Sequence, residues 1–152
     1  MELIEPELPR VLPLFRALHA HHADLAPDVY HCDGSDSEYL AHLEEKRVAG
    51  ARFFAHDTGE ALASYLIALP VVVPGDALRH ASRTVRVDHL YVSPDLRGMG
   101  LAKALIGRVE AWVGELGFDG WWFSYHAVND GVAKAYHAMG ASPWTAVSAK
   151  RM

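Results

Sequence analysis

Between residues 92 and 106 the chain reads Val-Ser-Pro-Asp-Leu-Arg-Gly-Met-Gly-Leu-Ala-Lys-Ala-Leu-Ile. Backbone N–H groups at a glycine-rich helix start can surround an anion. The first amides of a helix have no partner within it, and the positive end of the helix dipole lies there, so phosphate is favoured. Gly98 and Gly100 remove side chains where a ligand's oxygens must come close.

The elements around this turn follow from periodicity. Leu101, Leu105, Val109, Trp112 and Leu116 mark one face of a helix of about four turns, ended by Gly117. Thr84–Val92 is a predicted strand before the turn, and Trp121–Ala127 one after the helix. A crossover helix between neighbouring strands makes them parallel. Upstream, Arg52–His56 and Leu62–Leu69 flank Asp57-Thr58-Gly59-Glu60, a hairpin turn signal, and Pro70–Ser82 reads as a loop. Met1–Ile4 is a first strand candidate. Leu8, Leu12, Phe15 and Leu18 have helical spacing, with a kink or a start expected at Pro13. Ala20–Ser37 reads as irregular or partly helical, and a second helix is expected from Ser37, its N-cap, to Arg47. Gly131–Met139 is a short helix and Thr145–Lys150 a last strand candidate. The expected architecture is α/β: a mixed, mostly antiparallel sheet covered by helices.

Size and composition bound the function. At 152 residues the chain is expected to be one domain with a core that needs no disulfide or metal. A net charge of -5 argues against a nucleic-acid surface, which usually needs a basic face. Cys32 is the one cysteine, so no intrachain disulfide can form. No apolar run approaches the ~18 residues that span a bilayer, and the first residues lack a signal-peptide pattern. A cytoplasmic protein without membrane or nucleic-acid partners is expected.

Two common phosphate motifs fail. The dinucleotide fingerprint needs Gly or Ala where Lys103 stands, and the Gly-Lys-Ser/Thr of a P-loop does not occur. What remains, Arg97, Gly100 and Ala102 between a strand and an amphipathic helix, resembles the Arg/Gln-x-x-Gly-x-Gly/Ala pattern of the GNAT superfamily of acyl-CoA-dependent N-acetyltransferases. Asn129, Tyr136 and Gly140 resemble the same family's downstream signature. Ala141 stands where Phe is usual, and Val132 where a small residue is usual. The resemblance covers Val85–Ala141 well and the first half only in the order of its elements.

The resemblance implies a sheet of six to seven strands, with the fourth and fifth parallel and splayed, flanked by about four helices. It implies acetyl-CoA as cosubstrate and no metal. Coenzyme A pyrophosphate would rest on amides of Arg97, Gly98, Met99, Gly100, Leu101 and Ala102, and pantetheine along Leu90, Tyr91 and Val92. Asn129 would bind pantetheine or cap its helix. The backbone N–H of Val92 would polarise the thioester carbonyl. Tyr136 is the acid candidate: a phenol pKa near ~10 suits donation to a thiolate near ~8.5. Asp88 is the base candidate by resemblance, acting through water or by orienting the amine. His89 is its rival, since a pKa near ~6.5 suits neutral pH better. Adjacent strand residues point to opposite faces unless a bulge intervenes, so one of the two is expected to reach the site.

Tyr30, Asp88 and Tyr125 are the expected acceptor contacts. Asp24, Asp28, Asp33, Asp36 and Glu38 form an acidic stretch that would attract a cationic amine. Ten histidines, densest at His19, His21, His22 and His31, invite a metal reading. Without cysteine partners or a His-Glu-x-x-His helix, zinc is not expected. The leading expectation is direct acetyl transfer to a primary amine of a small molecule or peptide. The alternative is a non-catalytic acyl-CoA-binding or sensor module. Homodimers are frequent in the family, so a homodimer is a further expectation by analogy.

Overall fold

In the computed structural model, residues 1–125, 129–145 and 147–148 are described. The elements follow in the order β1 (Glu2–Ile4), α1 (Leu8–Leu25), α2 (Asp36–Val48), β2 (Arg52–Asp57), β3 (Leu62–Val73), β4 (Ser82–Val92), a short 3-10 turn (Pro94–Leu96), α3 (Leu101–Leu116), β5 (Gly120–Phe123) and α4 (Asp130–His137). The strands pair in chain order. The first three pairings are antiparallel, and β4 and β5 are parallel.

Alternation along the strands divides the core in two. On one face Phe53, Ala55, Tyr65 and Ile67 pack with Val11, Phe15 and Leu18 of α1 and Leu43 of α2. On the other, Phe54, Leu66, Ala68, Val85 and Val87 pack with Leu105, Ile106, Val109 and Trp112 of α3 and Tyr136 of α4. The sheet is thus the middle layer between two helical layers. Of the expected α3 stripe, Leu101, Leu105, Val109 and Trp112 are buried, whereas Leu116 at the C-terminal end is exposed.

Several expectations are corrected. Among the described residues the sheet has five strands, not six or seven. Thr145, Val147 and Ser148 lie in no strand; the rest of that candidate, Ala146, Ala149 and Lys150, lies outside the described residues, as does Ala127. Helix α1 runs unbroken through Pro13. Burial of Val11, Phe15 and Leu18 on the sheet outweighs the lost hydrogen bond, a penalty of about 3 kcal/mol. The same helix continues to Leu25, so the irregular stretch is shorter than expected. Ser35, not Ser37, caps α2. Its hydroxyl accepts from the Glu38 N–H, and its own N–H donates to the Glu38 carboxylate at 2.7 Å. Strand β3 extends to Val73, leaving 74–81 as the loop.

Candidate active site

The sequence runs Arg86-Val87-Asp88-His89-Leu90 through the middle of β4, and its pairing with β3 is irregular there. Ala68 faces Val87 and Ile67 faces His89, so Asp88 has no residue opposite it. This is a β-bulge, and it shifts the alternation by one. Val85 and Val87 join the α3 layer. Asp88 reaches Lys46 of α2, and the His89 ring stacks on Phe15 of α1, with ring centres 5.4 Å apart. Both side chains therefore occupy the α1–α2 face, against the expectation of opposite faces. After them, Leu90 packs with the α3 layer and Tyr91 with the α1 layer.

Asp88 is not a free base. Lys46 Nζ donates to Oδ2 at 2.8 Å, and Arg86 donates to both carboxylate oxygens. Burial opposes its ionisation, but the Arg86 and Lys46 hydrogen bonds outweigh burial and hold the carboxyl below its ordinary range. His89 is placed by Tyr65, whose hydroxyl lies 3.2 Å from Nδ1. Burial, then the Lys46 charge, lowers the imidazole to about 3, so it is neutral at physiological pH. Sequence reading missed Lys46, Arg86 and Tyr65. Arg86 could have been found, because residues two apart on a strand share a face. Lys46 is 42 positions from Asp88 and left no local signal.

Of the three expected acceptor contacts, Tyr30 lies in the α1–α2 connection, with its ring centre 5.5 Å from that of His22. Tyr125 stacks on Phe123, which packs in the α3–α4 layer beside Tyr136. The acidic stretch is partly occupied by local structure: Asp36 binds Arg16, with Nε at 2.7 Å, and Glu38 serves the α2 cap. His19 Nε2 bonds the His31 carbonyl at 2.6 Å. Among the described residues no group of three or more metal-ligating side chains converges.

On the other edge of β4, pairing with β5 covers Thr84–Val87 against Gly120–Phe123. Beyond Val87, among the described residues, β4 pairs with β3 alone as far as Val92. The Ser93 N–H bonds the Ala63 carbonyl on β3. By alternation, Val92 and Leu90 turn their backbone groups toward the open side, and Tyr91 turns its own toward β3. Tyr91 thus contributes no backbone pairing on the open side, unlike Leu90 and Val92. Its ring instead lies 6.0 Å from the Arg97 guanidinium. Arg97 Nε donates to the Val92 carbonyl at 3.2 Å, tying the strand end to the glycine turn.

That turn is formed as an anion cradle requires. Gly98 and Gly100 both have left-handed φ, 82° and 81°. The first bond of α3 is from the Ala104 N–H to the Gly100 carbonyl. Among the described residues, the amides from Gly98 to Lys103 have no hydrogen-bond partner. A Cβ placed at either glycine meets nothing within 4 Å, so the space beside both glycines is open. The pattern fits a diphosphate on the positive end of a 16-residue helix.

Tyr136 of α4 lies against β5. Its ring stacks on Phe123, with centres 3.5 Å apart, and lies 6.0 Å from Trp121. The residue is buried in the α3–α4 layer, and burial raises its phenol above the ordinary range. Asn129 caps α4, accepting from the Val132 N–H at 3.4 Å. Its side-chain oxygen is engaged in capping.

The chain belongs to the acetyltransferase (GNAT) family, whose model matches residues 12–141. Solved structures agree in fold. The tetramutant of the BH1408 protein from Bacillus halodurans superposes with a TM-score of 0.88 at 17% identity, covering all of both chains. A ribosomal-protein-alanine N-acetyltransferase from Brucella melitensis biovar Abortus 2308 gives 0.74 at 22% identity, again over all of both chains. An aminoglycoside acetyltransferase, meta-AAC0020, from an uncultured soil metagenomic sample and in complex with sisomicin, gives 0.71 at 15%, covering 99% of this chain and 94% of that one. At such identities the likeness is one of fold. No curated protein matches the chain in sequence.

Proposed function

We propose that the protein is an N-acetyltransferase that moves an acetyl group from acetyl-CoA to a primary amine by direct attack. The observation that carries this reading is the glycine turn before α3, where the amides of Gly98–Lys103 have no hydrogen-bond partner among the described residues. The end of the β4–β5 pairing at Val87 and Phe123, and Tyr136 stacked on Phe123, support it. Acetyl-CoA supplies an activated acyl group with a thiolate leaving group. The amides from Gly98 to Lys103 would hold its diphosphate, and Leu90 and Val92 would pair with its pantetheine arm as an added strand pairs. The Val92 N–H would donate to the acyl oxygen.

The reaction balances without a covalent enzyme intermediate. The amine lone pair forms the N–C bond, the C–S bond breaks, and the sulfur departs with the bonding pair. Tyr136 gives its proton to that sulfur and is reprotonated from solvent. The amine's surplus proton leaves to water, because the Asp88 carboxylate is held by two cations and neutral His89 is a weak base. Asp88 and His89 act by positioning the acceptor. Release of free thiol from acetyl-CoA in the presence of mixed primary amines tests the reading. Amine-dependent thiol release is expected. Tight acetyl-CoA binding without such release would instead favour the acyl-CoA sensor module, for which the ion-paired Asp88 is the favouring observation.

A further inference from the structure

We infer that the face of β4 carrying the bulge receives an amine that also bears a carboxylate, with Lys46, Arg86 and the Nε2–H of His89 as its hydrogen-bond donors. This rests on the acetyltransferase reading and names the substrate class of the same site.

The argument begins with charge and donor inventory. Lys46, Arg86 and Asp88 form one cluster, two cations against one anion. The Lys46 ammonium has three N–H donors and uses one on Asp88; Arg86 has five and uses those on Nε and one Nη. Both oxygens of Asp88 accept from these cations, three bonds in all, while donors remain on Lys46 and Arg86. The Lys46 and Asp88 side chains are 19% and 10% exposed and Arg86 is 36% exposed, so solvent screens the Lys46 charge less than that of Arg86. Trp122 lies 5.9 Å from the Arg86 guanidinium and supports it from the β5 side.

His89 adds a donor of defined direction. The Tyr65 hydroxyl is buried in the α1 layer, and its hydrogen bond is to His89 Nδ1. Burial keeps the phenol protonated. Between a phenol and a neutral imidazole, O–H is the stronger donor and the bare ring nitrogen the stronger acceptor, so Tyr65 donates. Nδ1 then carries no proton and Nε2 carries one. The hydrogen bond to Tyr65 engages Nδ1 and leaves Nε2 as the donor that a ligand can use. His89 thus shows an N–H, not a lone pair, to whatever binds beside Lys46. The charges acting on it come from Lys46 and Asp88, with His22 and His42 nearby on α1 and α2.

A polycation would meet like charge and an occupied carboxylate here. A carboxylate next to the reacting amine would meet three donors. The surplus positive charge also disfavours the ammonium form of the amine, which promotes the nucleophile without a strong base.

Matched probes decide the point: β-alanine, β-alaninamide, propylamine and spermidine, each assayed for thiol release with acetyl-CoA. The expected result is kcat/KM at least about tenfold higher for β-alanine than for propylamine, with spermidine poorest. In Lys46→Met, which leaves Asp88 paired with Arg86, that ratio should fall below about threefold. Rates equal within twofold across the set, or spermidine fastest, would overturn the inference. If no amine releases thiol, the acetyltransferase reading fails by itself. The inference is then decided by NMR of the 15N-histidine-labelled full chain, with His89 assigned by His89→Gln. A single Nε2–H tautomer is expected, mixed in Tyr65→Phe, with an Nε2 signal that β-alanine moves and propylamine does not. An Nδ1–H tautomer, or equal response to both probes, overturns it.

Discussion

Asp88 and His89 are neighbours in the chain, yet both present their side chains to the same helical layer. The bulge opposite Ile67 and Ala68 is the cause. It brings a carboxylate to Lys46 and an imidazole to Tyr65 within one residue of each other, at the strand end where β5 departs. The consequences of this arrangement can be measured.

Removing the carboxylate should cost stability more than chemistry. Asp88→Asn leaves Lys46 and Arg86 without their shared anion in a half-buried setting. A loss of about 1–3 kcal/mol is expected, below the range for fully buried pairs. A double-mutant cycle with Lys46→Met, read by urea unfolding, should show coupling of at least about 0.5 kcal/mol. Additive effects would mean that the ion pair contributes nothing. The acid limb of the pH–rate profile should stay where it is in Asp88→Asn, because that limb belongs to the acceptor's own ammonium.

His89 should make the fold sensitive to mild acid. Its imidazole titrates at about 3 when folded, against an ordinary value of 6.5. Between those values the unfolded chain binds a proton that the folded chain does not. Stability therefore rises with pH across that window and falls as pH drops from about 6.5 toward 3. His42 and His56, both lowered by burial, act in the same direction. Melting temperatures of wild type and His89→Gln between pH 7.5 and 4.5 provide the test: the variant should lose less on acidification. Parallel curves would place the His89 proton elsewhere.

Tyr136→Phe keeps the ring that stacks on Phe123 and removes the hydroxyl proposed as the acid. Turnover should fall by about 10²-fold or more, in the range of lost general acids. Calorimetric affinity for acetyl-CoA should change less than about twofold, and the melting temperature little. Unchanged turnover would remove Tyr136 from the reaction.

Gly100→Ala tests the cradle. The φ of 81° makes any side chain costly, by roughly 1–2 kcal/mol, although no protein atom would be struck. A loss of coenzyme A affinity of about tenfold or more, beyond what unfolding explains, would show that the ligand approaches this backbone. An affinity that follows stability alone would argue for an ordinary strand-to-helix turn.

Local rules were enough for much of this chain. Hydrophobic spacing marked α3 and its buried stripe; Asp57–Glu60 marked the β2–β3 turn; glycine placement marked the start and end of α3. Each depends on residues within one turn or one hairpin, so the sequence by itself determined them. Long-range packing decided the rest. Pro13 did not break α1, because burial against the sheet outweighed a local penalty. The bulge at Asp88 depends on the register of two strands, which no single strand encodes. Lys46 met Asp88 across 42 positions because α2 folds over β4, and that contact turned an expected base into the anion of a cationic face. The sequence carried the glycine turn, the helix after it and the strands on either side. The tertiary structure decided which of its titratable groups remain free to act, because burial and charge pairing are properties of neighbours in space.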